Sequence, residues 1–297
     1  MGSKTKFFIT DVFGDRKYSG NQLATFIDCA SFSDEEMQQI AREIHFSETT
    51  FVISSSPSKG GYEVRIFTPG SEIDFAGHPT LGTAYIIQKH IVRQPVDKIV
   101  LNFKVGQIPV LLPTEQGNNG ILWMQQAEPT FGKTLDATGI ASVLNLTESD
   151  IDTRWPIEEV STGLPFIIVP LKNLAALKRA SVVKELYQEF VNTSWAKAIL
   201  VFSPEGYTEE QRISVRVFVD FYGIPEDPAT GSGNGCLAGY FIKHRYFSAS
   251  SIDIKAGQGY EIDRPSVLSL RASEHDGNIS ISVGGQVIPI AEGYWGP

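Results

Sequence analysis

The sequence predicts an α/β protein of two lobes related by a pseudo-twofold axis. Three observations carry that reading. The chain of 297 residues is about twice the usual domain of roughly 150. Two distant stretches follow one order of elements, and each ends in a glycine-rich loop that opens a small, apolar helix.

In the first stretch an apolar strand over residues 23–27 precedes a helix opening at Ser33, where Glu36 completes a capping-box pattern. Met37, Ile40, Ala41 and Ile44 then recur at helical spacing. Ser47-Glu48-Thr49-Thr50-Phe51-Val52-Ile53 follows, then an alternating strand over 62–67 and a loop with Pro69 and Gly70. Asp74-Phe75-Ala76-Gly77-His78-Pro79-Thr80-Leu81-Gly82 leads into a helix ending near Lys89.

The second stretch repeats the order. Residues 166–169 read as a strand, 182–191 as a helix, and 195–202 take the place of the Glu48 segment. Residues 213–218 alternate as a strand, and Asp227-Pro228-Ala229-Thr230-Gly231-Ser232-Gly233-Asn234-Gly235 opens a helix over 236–244. Pro113, Gly117, Asn118, Asn119 and Gly120 predict a turn before a strand over 121–125, and residues 128–132 a linker between lobes. The expected division is 1–128, completed by a C-terminal strand over 286–297, and 129–285.

Composition narrows the function. With 42% hydrophobic and 20% charged residues, the chain has an ordinary globular balance. No apolar run reaches the roughly 18–20 residues of a membrane helix, and the N-terminus enters a strand pattern without a signal core. A cytoplasmic location is expected, with no membrane partner. A net charge of −9 disfavours nucleic acid, which needs a clustered basic face. Cys29 and Cys236 stand in unlike contexts with no metal-ligand spacing, so neither a disulfide nor a structural metal is expected.

Glycine lets a backbone approach a ligand closely, and the unbonded N–H groups at a helix N-terminus attract anions. Two such termini converging on one cleft would bind a carboxylate and stabilise the enolate-like charge left when its α-proton is removed. No P-loop or dinucleotide fingerprint is present. Glu48, between a helix end and an apolar strand, is the best-placed carboxylate for proton transfer. His78 and Asp227 hold similar places in the two loops and would donate, accept or orient. Glu72, Asp74 and Ser47 equally fit local capping roles, and His45, His90, His244 and His275 read as structural or surface residues.

These residues together resemble the PhzF-like (phenazine biosynthesis) proteins, which share the diaminopimelate epimerase fold. The resemblance spans nearly the whole chain. It rests on Asp11-Val12-Phe13 with Gly20-Asn21-Gln22-Leu23-Ala24, Ser47-Glu48-Thr49-Thr50-Phe51, Phe75-Ala76-Gly77-His78-Pro79-Thr80, and Glu226-Asp227-Pro228-Ala229-Thr230-Gly231-Ser232. Gln258-Gly259, Arg264-Pro265-Ser266 and Val283-Gly284-Gly285 continue it. It implies an α+β fold of two pseudo-twofold-related lobes, each a mostly antiparallel sheet wrapped around a central helix, assembled as a homodimer. It implies an isomerase, using neither metal nor organic cofactor, that moves a proton on a small carboxylated substrate. Glu48 would be the general acid/base, His78 and Asp227 the other catalytic groups, and Ser47, Gly77, Thr230, Gly231 and Ser232 would bind substrate.

Racemases of this fold use one cysteine on each loop. Ala76 and Thr230 stand in those places here, which disfavours a two-thiol mechanism. Asp263 stands where the family usually has glycine. Two other classes compete with the isomerase: a non-catalytic small-acid binder, and a metal-dependent hydrolase built on His78 and Asp227, the latter weakened by the lack of a second nearby histidine.

Overall fold

The structure, a computed structural model, describes residues 4–113 and 120–296. Met1, Gly2 and Ser3 of the N-terminal segment, Gly117, Asn118 and Asn119 of the predicted turn, and Pro297 of the predicted last strand lie outside the described residues. The chain forms two compact units, one of residues 1–125 with 284–297 and one of 126–283. No helix among the described residues is long and apolar enough to cross a membrane.

The first unit begins with β1 (Thr5–Val12), β2 (Asn21–Ile27), α1 (Asp34–Ile44), β3 (Glu48–Val52), β4 (Tyr62–Phe67) and the short β5 (Glu72–Ile73). It continues through α2 (Gly77–Ile86), β6 (Lys98–Phe103), β7 (Gly106–Leu111) and β8 (Leu122–Gln125). β1 and β2 pair antiparallel, β2 and β3 parallel, β3 and β4 antiparallel, β4 and β6 parallel, and β6 and β7 antiparallel. Ser33 caps α1 by accepting from the Glu36 N–H, and Met37, Ile40 and Ala41 bury its inner face against Phe26, Phe51 and Phe67.

The second unit holds β9 (Thr130–Leu135), α3 (Ala137–Val143), β10 (Ile157–Ser161), β11 (Pro165–Pro170), α4 (Leu174–Arg179), α5 (Lys184–Asn192) and β12 (Ala198–Ser203). After these come β13 (Ile213–Val219), β14 (Ile224–Glu226), α6 (Gly231–Lys243), β15 (Ser251–Gln258), β16 (Ser266–His275) and β17 (Asn278–Gly285). The chain then returns to the first unit as β18 (Val287–Trp295), antiparallel to β1. Within the second unit β10 and β11 pair antiparallel, β11 and β12 parallel, β12 and β13 antiparallel, β13 and β15 parallel, and β15 and β16 antiparallel. This is the same series of pairings as β1 to β7, so each unit repeats one topology. The register then makes Ala198, first in β12 and next to the pair Ile199–Phe218, the counterpart of Glu48, first in β3 and next to the pair Thr49–Phe67.

In each unit one helix is buried on nearly every side. α2 packs on β1, β2, β3, β6, β7, β8 and β18, and Tyr85 is its one residue that is not buried. α6 packs on β10, β11, β15 and β16, with Lys243 its one such residue. Small residues allow this closeness: a Cβ on Gly82 would meet Leu23 at 2.5 Å and Val12 at 2.9 Å.

The structure corrects three expectations. α6 begins at Gly231 rather than at 236, because burial against the surrounding strands outweighs the poor helix propensity of its glycines. The predicted linker is partly strand: Thr130 and Phe131 of β9 pair with Ser161 and Val160. The helix expected to end near Lys89 runs on with π winding over Ile87–Val92. Asp263 takes φ +56°, the left-handed conformation that glycine adopts without cost and aspartate tolerates.

Candidate active site

Glu48 is the first residue of β3, held in parallel register beside Leu23 of β2, and its side chain is 16% exposed. Ser47 occupies the bend just before it. Phe67, opposite Thr49, leads by way of β5 to Ala76, the N-cap of α2, so that Gly77 and His78 are its first two helical residues. Ala76 makes no side-chain cap, leaving the first N–H groups of α2 without an intrahelical partner and the positive end of the helix beside His78.

His78 is 4% exposed, and its ring stands between two fixed partners. Nε2 lies 3.4 Å from Oε2 of Glu48, and Nδ1 lies 3.2 Å from Nδ2 of Asn21. Nε2 faces the Glu48 carboxylate with no hydrogen bond made between them in this geometry. Burial holds the ring neutral, lowering its pKa to about 3 against a smaller opposing effect from a hydrogen bond to the Gln22 backbone. Asn21 owes its position to Gly20, at φ +74°, where a Cβ would stand 2.4 Å from the Val12 carbonyl and 2.5 Å from the Gly14 nitrogen.

The lowered His78 pKa sets a sign for stability. Between the ordinary value of 6.5 and about 3, the unfolded chain binds a proton that the folded chain refuses, so acid destabilises the fold by up to about 1.4 kcal/mol per pH unit. His78→Gln is expected to flatten that part of the profile, read from urea midpoints at pH 7, 5.5 and 4.5. Parallel profiles for parent and variant would show that His78 titrates normally.

In the second unit Asp227 follows β14, and its N–H donates to the Val217 carbonyl at 3.0 Å. Thr230, the N-cap of α6, donates its hydroxyl to Oδ2 of Asp227 at 2.5 Å. Gly231 and Ser232 are the first two residues of that helix and are buried. His78 and Asp227 therefore do not hold similar places, as expected from the sequence: one is second in its helix, the other three residues before its N-cap. The residues at like positions are Ala76 with Thr230 and His78 with Ser232.

Sequence reasoning passed over Asn21, Gln258 and Asn234, though all three lie inside the motifs it had singled out. Glu72 does not cap α2; its carboxylate binds Arg65 at 2.8 and 3.0 Å and Lys104 at 2.5 Å. His244 bonds the buried Glu158, as does Lys243, and His45 closes α1 in the left-handed conformation. Both cysteines are buried, and burial pushes the Cys236 thiol up to about 12 and raises that of Cys29 as well. Among the described residues no three His, Cys, Asp or Glu side chains are grouped to hold a metal ion.

Comparison with known proteins agrees over the full length. The family model for phenazine biosynthesis-like proteins matches residues 10–293. The trans-2,3-dihydro-3-hydroxyanthranilate isomerase of Pseudomonas aeruginosa is 32% identical over 289 residues, 97% of this chain and 98% of the relative. A PhzF-family phenazine biosynthesis protein of Bacillus anthracis superposes with a TM-score of 0.89 at 26% identity, covering 100% of both chains. A probable proline racemase from Agrobacterium radiobacter shares the fold, with a TM-score of 0.65 at 10% identity over 97% of this chain and 92% of that one. An isomerase on a mixed α/β, epimerase-like fold is thereby defined. The chain belongs to the phenazine biosynthesis-like protein family.

Proposed function

We propose that this isomerase moves a proton within a small carboxylated substrate, cyclic or an aromatic precursor, with Glu48 as the single general acid/base and no cofactor. The observation that carries the reading is the Glu48–His78 pair at the uncapped N-terminus of α2. A carboxylate flanking a C–H bond takes its proton, and the charge left on the substrate is met by the neutral His78 N–H and the helix N–H groups of Gly77 and His78. The same carboxyl then returns the proton at another carbon. Asp227, Thr230, Gly231 and Ser232 are assigned to the same substrate on the sequence pattern, and Ser47 with them. That the counterpart of Glu48 is Ala198 favours one base over an opposed pair.

The substrate named for the Pseudomonas aeruginosa relative, trans-2,3-dihydro-3-hydroxyanthranilate, is the first to try. Incubated with the protein in D2O and followed by NMR, it is expected to isomerise and gain one deuterium at the new C–H position. Calorimetric binding of this and related acids with no exchange would instead favour the non-catalytic binder, and unchanged turnover after chelation would dismiss the metal hydrolase.

A further inference from the structure

Gln258 lies at the end of β15, fully buried, and every hydrogen-bonding position of its amide is used within the second unit. Oε1 accepts from the Thr230 backbone N–H at 3.2 Å and from Nδ2 of Asn234 at 2.9 Å. Nε2 donates to the Asp227 carbonyl at 2.8 Å and to the Thr230 hydroxyl at 3.0 Å. Two backbone groups make this orientation unambiguous, since the Thr230 N–H only donates and the Asp227 C=O only accepts. Asn234 is oriented likewise, its Nδ2 donating to the Thr230 carbonyl at 3.0 Å.

A hydroxyl carries one proton. Because Oγ1 of Thr230 already accepts from Gln258, its own proton points to Oδ2 of Asp227. The backbone adds a second constraint: Gly259, at φ +78°, lets the chain pass so close that a Cβ there would meet the Arg264 carbonyl at 2.4 Å and that of Pro228 at 2.6 Å.

We propose that Gln258 and Thr230 are positioning residues, a one-way relay of hydrogen bonds that holds the Asp227 carboxylate in place as an acceptor. Thr230, assigned to the substrate on the sequence pattern, acts on it through Asp227. The proposal rests on the reading that Asp227 serves the isomerisation.

Thr230→Val keeps the shape and removes the proton, whereas Gln258→Glu keeps the shape and replaces a donor by an acceptor, drawing the Thr230 proton away from Asp227. Each is expected to lower kcat about 10–100-fold, the effect of losing one hydrogen bond to a charged group, with KM little changed. Because both remove the same bond, the double variant is expected to be no slower than the worse single one. Thr230→Ser is expected to recover most of what Thr230→Val loses. Independently of turnover, proton NMR is expected to show a slowly exchanging hydroxyl resonance in the parent that vanishes in Thr230→Val and shifts in Gln258→Glu, where the proton turns to a different carboxylate.

That resonance decides the relay even if the dihydro-hydroxyanthranilate is not a substrate; its absence from the parent, or an unshifted resonance in Gln258→Glu, overturns the proposal. Additive losses in the double variant overturn it as well. Full activity in Asp227→Asn, with the resonance intact, would sink the role of Asp227 in the reaction and leave the relay standing.

Discussion

Glu48→Gln is expected to slow deuterium incorporation into substrate by about 10³-fold or more, within the range for removing a positioned general base, or about 4 kcal/mol of barrier. The amide matches the carboxyl in size and still meets Nε2 of His78, so binding and fold are expected to hold while the proton acceptor is lost. Glu48→Asp withdraws the carboxylate by one methylene and is expected to retain part of the rate, since misplacement by about 1 Å costs roughly 10². The graded series separates chemistry from damage, because a merely structural role would rank Gln above Asp. Deuterium reads this step because the Glu48 side chain is 16% exposed and can exchange with solvent, whereas that of His78 is 5% exposed. Parent-like exchange in Glu48→Gln would remove Glu48 from the role of base.

The parts of this site that were legible in the sequence are those written in local pattern. The segment after Glu48 is apolar, Ser33 precedes Glu36 at capping distance, and glycine runs mark both helix starts, so β3, α1 and the two loops follow from residues a few positions apart. The partner of Glu48 is a different matter. His78 lies 30 positions downstream, and Asn21, which orients it, is separated from it by 57. Only the closing of β2 on β3, and of both on α2, brings the three together. Gln258 and Asn234 were unreadable for a related reason. A glutamine at a strand end and an asparagine inside a glycine-rich helix look like ordinary polar residues until burial forces every amide atom to find a partner. The start of α6 was misplaced because glycine argues against helix locally, and only the packing of Gly233 against Phe166 and Leu200 and of Gly235 against Gln126 shows why small residues fit there.

Arg216→Met is expected to lower stability by about 3–5 kcal/mol, the cost of leaving one charge of a buried pair without the other. Arg216 is 7% exposed on β13, and its guanidinium binds Glu226 through two bonds of 2.9 and 2.7 Å. The remaining nitrogen donates to the carbonyls of Leu177 at 3.1 Å and Ala180 at 2.5 Å, where α4 ends, so the substitution also leaves helix-terminal acceptors unmet. Glu226 has nowhere to turn: its side chain is 8% exposed, and Glu261, which accepts from the Tyr207 hydroxyl, lies 3.8 Å from Nε of the same Arg216. Replacing both members of the pair, as Arg216→Met with Glu226→Leu, removes the stranded charge and is expected to restore a good part of the loss. Urea midpoints for the two single variants and the double one measure the coupling; equal destabilisation by the double variant and the sum of the singles would show that the pair acts only through packing. If Asp227 serves the isomerisation as proposed, the consequence reaches the chemistry, because Asp227 is the next residue after Glu226. A loosened Glu226 frees the strand that presents Asp227, so Arg216→Met is expected to lower kcat even at temperatures where the variant remains folded.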